Sequence, residues 1–415
     1  MLRVVIFLSV LLALVGSASV YVHRRATRLF GLGPRARRAL AAVLAAGMVA
    51  LVASRVLERS VAAGVLLPVG VGGAVVTVAV MIAAVLLGMI ELVSLPARWL
   101  SRRARRARRA APPDAAAEPV EPPVAAAAPA DPSSRRVFLE QATTGSALVI
   151  GAVSSTYGAL FGRHDYQLEE TSFVIPGLSR RLDGYTLVQL SDVHLGLFGG
   201  EAEMRVAEAL VARARPDLLV LTGDLIDHDP RHADALGRLV RRLAAHARDG
   251  VVAVPGNHDY HTGIDVVVSA LERAGAVVLR NGGRVVGDAG ASFALLGLDD
   301  PWGPREDRRS VGPDLGVALA SLPAAADLPR VLLCHNPGYF PDAAGKVALQ
   351  LSGHTHGGQI KIGVTPAPLI LRHRYIAGRY ARAGTGLYVN RGFGTAGPPV
   401  RVGAPPEVTR IVLTT

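Results

Sequence analysis

A chain of 415 residues, half of them hydrophobic and with a net charge of +12, exceeds one ordinary domain and calls for two or three units. The charge is uneven: residues 1–164 hold nineteen Arg against seven Asp/Glu, whereas residues 165–415 hold twenty-six Lys/Arg against twenty-six Asp/Glu. Because the basic excess lies beside hydrophobic runs and the second half is neutral, the charge does not mark a nucleic-acid partner, and a single cysteine, Cys334, excludes an internal disulfide.

The first expected elements are membrane spans. Residues 4–22 and 39–54 are uncharged and mostly apolar, and 60–90 can cross a bilayer with residues to spare, since a span needs about 20 apolar residues. A globular core built from the same stretches would have only four aromatics in the first hundred residues, Phe7, Tyr21, Phe30 and Trp99, which is too few. Arg24, Arg25, Arg28, Arg35, Arg37 and Arg38 separate the first two stretches, and a second run of six from Arg102 to Arg109 follows the third, so both loops are expected on the cytoplasmic side. The turn with Arg55, Glu58 and Arg59 then falls outside, as does the amino terminus.

Residues 111–133 are rich in Ala and Pro without hydrophobic periodicity and read as an extended or disordered linker. Ser134-Arg135-Arg136-Val137-Phe138-Leu139 has the form of a twin-arginine export signal, and 141–162 would serve as its apolar region or as a fourth span. Arginine placement and signal agree in putting the remaining chain, from residue 165, on the outer side of a bacterial cytoplasmic membrane.

From residue 185 the pattern changes. Short apolar runs at 185–190, 218–222, 251–254, 293–298, 331–334, 347–351 and 387–389 read as strands, with helices expected at 202–215, 233–247 and 266–274. Cys334 reads as a small buried side chain on one of those strands. Such alternation implies a layered α/β fold, in which polar groups at the carboxyl ends of strands meet in one crevice.

Those strand ends carry ligand-type side chains. They are Asp192 and His194, then Gly223-Asp224, then Gly256-Asn257-His258-Asp259, then His335-Asn336, then Gly353-His354-Thr355-His356-Gly357-Gly358. Asp192/His194 and His354/His356 are each separated by one residue, which in extended backbone turns both to one side. The adjacent glycines permit tight turns and close backbone approach to an anion.

In these blocks the chain resembles the calcineurin-like metallophosphoesterases, whose D-x-H, G-D, G-N-H-D/E, H and G-H-x-H pattern is present complete and in order. The resemblance covers about 184–415, and it looks closest to the membrane-anchored, twin-arginine-exported bacterial branch. It implies a four-layer α-β-β-α sandwich following the transmembrane helices. It also implies two divalent ions: Asp192, His194, Asp224 and His356 on one, and Asp224, Asn257, His335 and His354 on the other, with Asp224 bridging. Mixed imidazole, carboxylate and amide donors suit Mn, Fe or Zn. Such a pair acidifies a shared water and neutralises phosphoryl oxygens during in-line attack. The resemblance makes His258 the proton donor to the leaving alkoxide or the group that steadies the transition state, with Asp259 orienting its ring. Residues 223–228 lack the Arg-Gly of the Ser/Thr protein phosphatases, which argues against that activity.

Outside the blocks, Arg391 and Arg401 flank a Gly/Pro-rich loop and are candidates for a paired phosphate clamp, against the alternative of solvated arginines. Leu195, Leu197 and Phe198 read as packing rather than an apolar entrance, and His228, His232, His246, His261 and His373 as structural or surface histidines. The expected activity is hydrolysis of a phosphomonoester, phosphodiester or pyrophosphate, with a lipid or cell-envelope substrate favoured by the membrane tether. A phosphodiesterase or nucleotidase for soluble compounds, and a membrane sensor with an inactive hydrolase domain, are the competing readings.

Overall fold

The computed structural model describes residues 2–110, 132–303, 310–323, 328–361 and 374–415. Residues 111–131 of the expected linker, and His373, lie outside them.

Four long helices come first: α1 (Leu2–Leu29), α2 (Pro34–Val56), α3 (Ala63–Ala110) and α4 (Pro132–Leu160). Gly31 turns left-handed after α1, and Pro34 opens α2 where its missing N–H costs nothing. Among the described residues, Pro34–Arg59, Ala63–Pro96 and Arg135–His164 are long and apolar enough to cross a membrane. Small residues let these helices touch: a Cβ on Gly73 would strike the backbone of Gly47 and Leu51, and one on Gly151 would strike the carbonyl of Ala79. Arg25 pairs with Glu91 and donates to Thr144 at 2.9 Å, so the buried cation is satisfied across three helices. The third helix also runs further than the apolar stretch, carrying the second arginine run as continued helix.

Contacts divide the chain into two compact units, residues 1–53 with 72–156, and residues 54–71 with 157–415. The second unit contains two six-stranded sheets. The first sheet has the order β1 (Gln167–Val174), β12 (Glu407–Thr414), β2 (Tyr185–Leu190), β3 (Leu218–Thr222), β4 (Val251–Val254), β5 (Val277–Val278). The second has the order β10 (Gly378–Arg382), β11 (Thr385–Val389), β9 (Leu349–Ser352), β8 (Arg330–Leu333), β7 (Ala291–Gly297), β6 (Gly282–Asp288). Strands β2 to β5 are parallel, as are β7, β8, β9 and β11, so their carboxyl ends line up.

Leu187, Val220, Val252, Phe293, Leu295 and Leu351 fill the space between the sheets and are fully buried. Each contributes about 1.5–3 kcal/mol by leaving water. Helices α5 (Glu201–Ala214), α6 (Ala233–Ala244) and α8 (Ile264–Arg273) cover the outer face of the first sheet through Leu210, Leu236, Val240 and Leu271. Helix α9 (Leu315–Ala320) covers the second through Leu315 and Ala318, against Leu332 and Cys334. The result is the expected α-β-β-α layering. The expected strands at 185–190, 218–222 and 251–254 coincide with β2, β3 and β4. Strands β1, β5, β6, β10 and β12 were not anticipated: β1, β6 and β10 are half-exposed, charge-containing runs, β5 has only two residues, and the largely buried β12 carries Glu407 and Arg410 in its apolar run.

Candidate metal centre

Six of the seven expected ligands converge where the parallel strands end, and Asn257 stands at the end of one of those strands. Asp192 and His194 follow β2, Asp224 follows β3, Asn257 opens the six-residue helix α7 (Asn257–Thr262) after β4, His335 follows β8, and His354 and His356 follow β9. The Asp192–His194 and His354–His356 segments are not extended, although the alternation argument supposed that they were. Asp192, His194, Asp224, His354 and His356 all adopt left-handed backbone with φ between 49° and 72°. Each strand stops abruptly at its ligand, and the left-handed turn bends the side chain into the crevice, where extended backbone would carry it past. Gly353 and Gly256 make this convergence fit: a Cβ on the first would collide with Ser191 and Asp192, and on the second with Asp224.

The expected donor atoms form two overlapping groups, and a further group joins His258 to His194 and Asp224. His356 Nε2 lies 3.3 Å from Asp192 Oδ1 and 3.1 Å from His194 Nε2. On the other side, His335 Nε2 lies 3.2 Å from Asp224 Oδ2 and 3.3 Å from His354 Nδ1. Asp224 Oδ2 belongs to both groups, since it also lies 3.7 Å from His194 Nε2. The atoms that face away are anchored. His335 Nδ1 donates to the Thr222 carbonyl at 2.7 Å, Asp224 Oδ1 accepts from the His258 amide at 2.8 Å, and Asp192 Oδ2 accepts from the His354 amide at 3.1 Å.

This donor set fits divalent metal. Asn257 Oδ1 is buried without a hydrogen-bond partner among the described residues, an arrangement that costs free energy unless a cation is supplied. Burial pushes Asp192 up to about 6. Burial acts on Asp224 in the same sense, but the charges of His335, His258 and His194 overcome it and hold that carboxyl well below its usual range. Burial would lower His335, yet Asp224 holds it well above the ordinary histidine value, while burial keeps His194 and His356 well below it. A bare Asp224 thus draws positive charge into the site, the place a divalent ion would take.

The Calcineurin-like phosphoesterase family pattern matches residues 185–358. Over 296 residues the chain is 33% identical to the uncharacterized metallophosphoesterase YkuE of Bacillus subtilis, covering 68% of this chain and 97% of that one. The chain belongs to the calcineurin-like phosphoesterases. As a member of that family it is a hydrolase of phosphoesters that uses divalent metal. It is also 29% identical to phosphodiesterase YaeI of Escherichia coli, over 68% of this chain and 99% of that one. With a transmembrane protein with metallophosphoesterase domain from Danio rerio it shares 30% identity, over 64% of this chain and 62% of that one.

Two details of this phosphoesterase centre differ from expectation. Asp259 does not orient His258. Its carboxylate accepts from the amides of Asp224, Leu225 and Gly256 at 2.9 Å and of Ile226 at 3.3 Å, and so shapes the loop that presents Asp224. The group on His258 is Asp227, which sequence reasoning missed: its carbonyl accepts from His258 Nδ1 at 2.6 Å and its Oδ1 lies 3.5 Å away. The only cue was a second acid three residues after Asp224.

Arg391 and Arg401 are not a phosphate clamp either. The Arg401 guanidinium is buried and donates to the carbonyls of Arg391, Gly392, Gly394 and Ala404. Arg391 pairs with Glu169 and with the fully buried Glu407, both at 2.6 Å. Both cations are therefore already satisfied within the fold. Leu195 and Leu197 are buried as expected, and His228 and His232 are held by Glu58 at 3.2 and 3.1 Å.

Proposed function

We propose that the chain is a membrane-anchored enzyme that cleaves a phosphodiester or pyrophosphate bond of a lipid or cell-envelope metabolite with two divalent ions, on the outer face of a bacterial cytoplasmic membrane. The observation that carries the dinuclear reading is the position of Asp224 Oδ2 between the His194 and His335 imidazoles, where one carboxylate oxygen can serve both groups. Asp192, His194, Asp224 and His356 would hold one ion, and Asp224, Asn257, His335 and His354 the other, with Mn, Fe or Zn matching these donors. The ions, when bound, acidify a water and neutralise the phosphoryl oxygens.

The chain's own residues supply the rest. His258 Nδ1 donates a hydrogen bond to the Asp227 carbonyl, so that in the doubly protonated ring Nε2 is the atom that can hand a proton to the leaving oxygen, the ring keeping the proton on Nδ1. Its ring is partly exposed, so a substrate can reach it. Asp259, through four amides, keeps the Asp224 loop from relaxing.

Two observations support the outer face. The arginine-rich segments lie at the ends of α2 and α3 remote from the turn at Leu57–Arg59. That turn pairs with the hydrolase, Glu58 with His232 at 3.1 Å and Arg59 with Asp229 at 3.3 Å, so turn and hydrolase share one side. The pair Arg135-Arg136 near the start of α4 is then read as a twin-arginine export signal. A lipid-derived substrate is supported by a cleft of about 620 Å³ between the start of α3 and the loop after His194, lined by Leu67, Leu197 and Phe198 with Arg163 and Arg231. The name of the relative YaeI favours a diester.

The test is turnover by the purified full-length protein with Mn, comparing lipid phosphodiesters and pyrophosphates in mixed micelles with bis-p-nitrophenyl phosphate and nucleotides. Preference for the soluble compounds removes the lipid assignment. Absence of both turnover and bound metal removes the hydrolase reading in favour of a sensor. Protease digestion of intact spheroplasts should degrade the hydrolase unit; protection until lysis would reverse the topology.

A further inference from the structure

We infer that Arg55, in the last turn of α2, is a positioning residue of the metal centre that acts through Asp227. The inference rests on the metal-dependent reading of the site. Asp227 divides its carboxylate between two tasks. Oδ1 lies 3.4 Å from His194 Nδ1, which makes no hydrogen bond among the described residues, and 3.5 Å from His258 Nδ1, so one oxygen stands as a charge beside the outer nitrogen of an expected metal ligand and of the expected proton donor. Oδ2 forms an ion pair with the Arg55 guanidinium and lies 3.3 Å from His228 Nδ1.

A carboxylate on the far nitrogen of a metal-binding imidazole fixes ring orientation and tautomer, and its loss commonly costs 10- to 100-fold in affinity or activity. Asp227 is buried, and a carboxylate so placed keeps one rotamer only if its second oxygen is also held. Arg55 provides that hold. It is braced in turn, with Nη2 donating to the Gly397 carbonyl at 2.6 Å and Cζ 4.7 Å over the Phe198 ring.

One guanidinium thus touches three loops that frame the ligands. Phe198 lies in the loop after His194, and Asp227 in the loop after Asp224. Gly397 lies in the loop whose Phe393 and Gly394 amides donate to the carbonyls of Ser191 and Asp192 at 2.9 and 2.7 Å. Arg55 is 172 residues from Asp227 in sequence, yet both fall in the same compact unit, which takes in residues 54–71 together with 157–415. The turn has other anchors: Glu58 on His228 and His232, the Arg231 guanidinium on the Glu58 carbonyl at 3.2 Å, and Arg59 on Asp229. Removing Arg55 alone therefore leaves the turn docked.

The experiment uses the full chain in detergent and compares Arg55→Ala and Arg55→Lys with Arg59→Ala, which loses a neighbouring ion pair remote from the imidazoles. Metal per chain is measured by elemental analysis after dialysis against graded chelator. Kinetics are measured with bis-p-nitrophenyl phosphate, and melting temperature is recorded for each variant. Arg55→Ala is expected to release metal at about 10-fold lower chelator and to lose about 10- to 100-fold in kcat with KM little changed. Its melting temperature should match that of Arg59→Ala. Arg55→Lys should recover part of the loss, and millimolar guanidinium should restore Arg55→Ala further. Should Arg55→Ala not fold, a full-strength Arg55→Lys, with wild-type metal retention and kcat, would overturn the inference. So would an Arg55→Ala indistinguishable from Arg59→Ala. A wild-type protein that binds no metal would overturn both this inference and the function beneath it, whereas a loaded, active wild type with an unaffected Arg55→Ala overturns this one alone.

Discussion

The two sheets bring different chemistry to the centre. The first supplies both carboxylates and the amide, Asp192, Asp224 and Asn257, together with one imidazole, His194; the second supplies only imidazoles, His335, His354 and His356. Each sheet also holds the other's ligands. The His354 amide from the second sheet donates to Asp192, and the Thr222 carbonyl from the first accepts from His335. Carboxylates need amides and imidazoles need carbonyls, and the parallel strand ends of the facing sheet provide both. The site therefore exists only where the sheets are packed, and packing and chemistry are tested together by substitution.

The sharpest break is Asp224→Asn, which removes the oxygen shared by the two groups. Metal content should fall from two ions per chain to one or fewer, and kcat/KM on a phosphodiester by at least about a thousandfold, the several kcal/mol that metal ions supply. Retention of two ions by elemental analysis would show that the sheets hold them without a bridge. Next is His258→Ala, which should lose about 10²- to 10⁴-fold in kcat while keeping its metal under the proposal that the ring donates a proton rather than ligating. A matching loss of metal would move His258 into the ligand set.

Smaller effects separate structure from catalysis. Arg391→Ala strands the buried Glu407 carboxylate and should cost about 3 kcal/mol of stability with KM unchanged. A large rise in KM with unaltered melting would revive the phosphate clamp. The smallest effect concerns Asp300, which burial raises to about 7. A carboxyl raised in the folded state is at no disadvantage while protonated, and stability is lost as pH climbs from its ordinary value toward 7. Metal-stripped Asp300→Asn should therefore melt like wild type near pH 4 and be more stable by about 1–2 kcal/mol above pH 7. Parallel melting curves across that range would place Asp300 in a wetter setting.

The expected ligand positions were readable because each follows an apolar strand, and Asp224, Asn257, His354 and His356 also stand beside a glycine, a local pattern. Strands β2, β3 and β4 were readable for the same reason, being buried on both faces and continuous in apolar residues. Strand β1 was not: Glu169 and Glu170 interrupt it, and it is held by parallel pairing with β12, which brings Gln167 opposite Glu407. The role of Asp227 depended on a loop path after Asp224, and that of Arg55 on contact with a segment 172 residues away. Arg401 misled because nothing local distinguishes a solvated guanidinium from one enclosed by four carbonyls.

The left-handed backbone at five ligand positions has a consequence for how the metals arrive. An ordinary L-residue disfavours that conformation by about 1–2 kcal/mol, and none of these five is glycine. The sheets and the glycines around them, not an incoming ion, must bear that cost during folding. Metal then enters a mould already set, with little rearrangement left to oppose its capture, and a short peptide copied from the His354–His356 segment would lack the grip of the same residues in place.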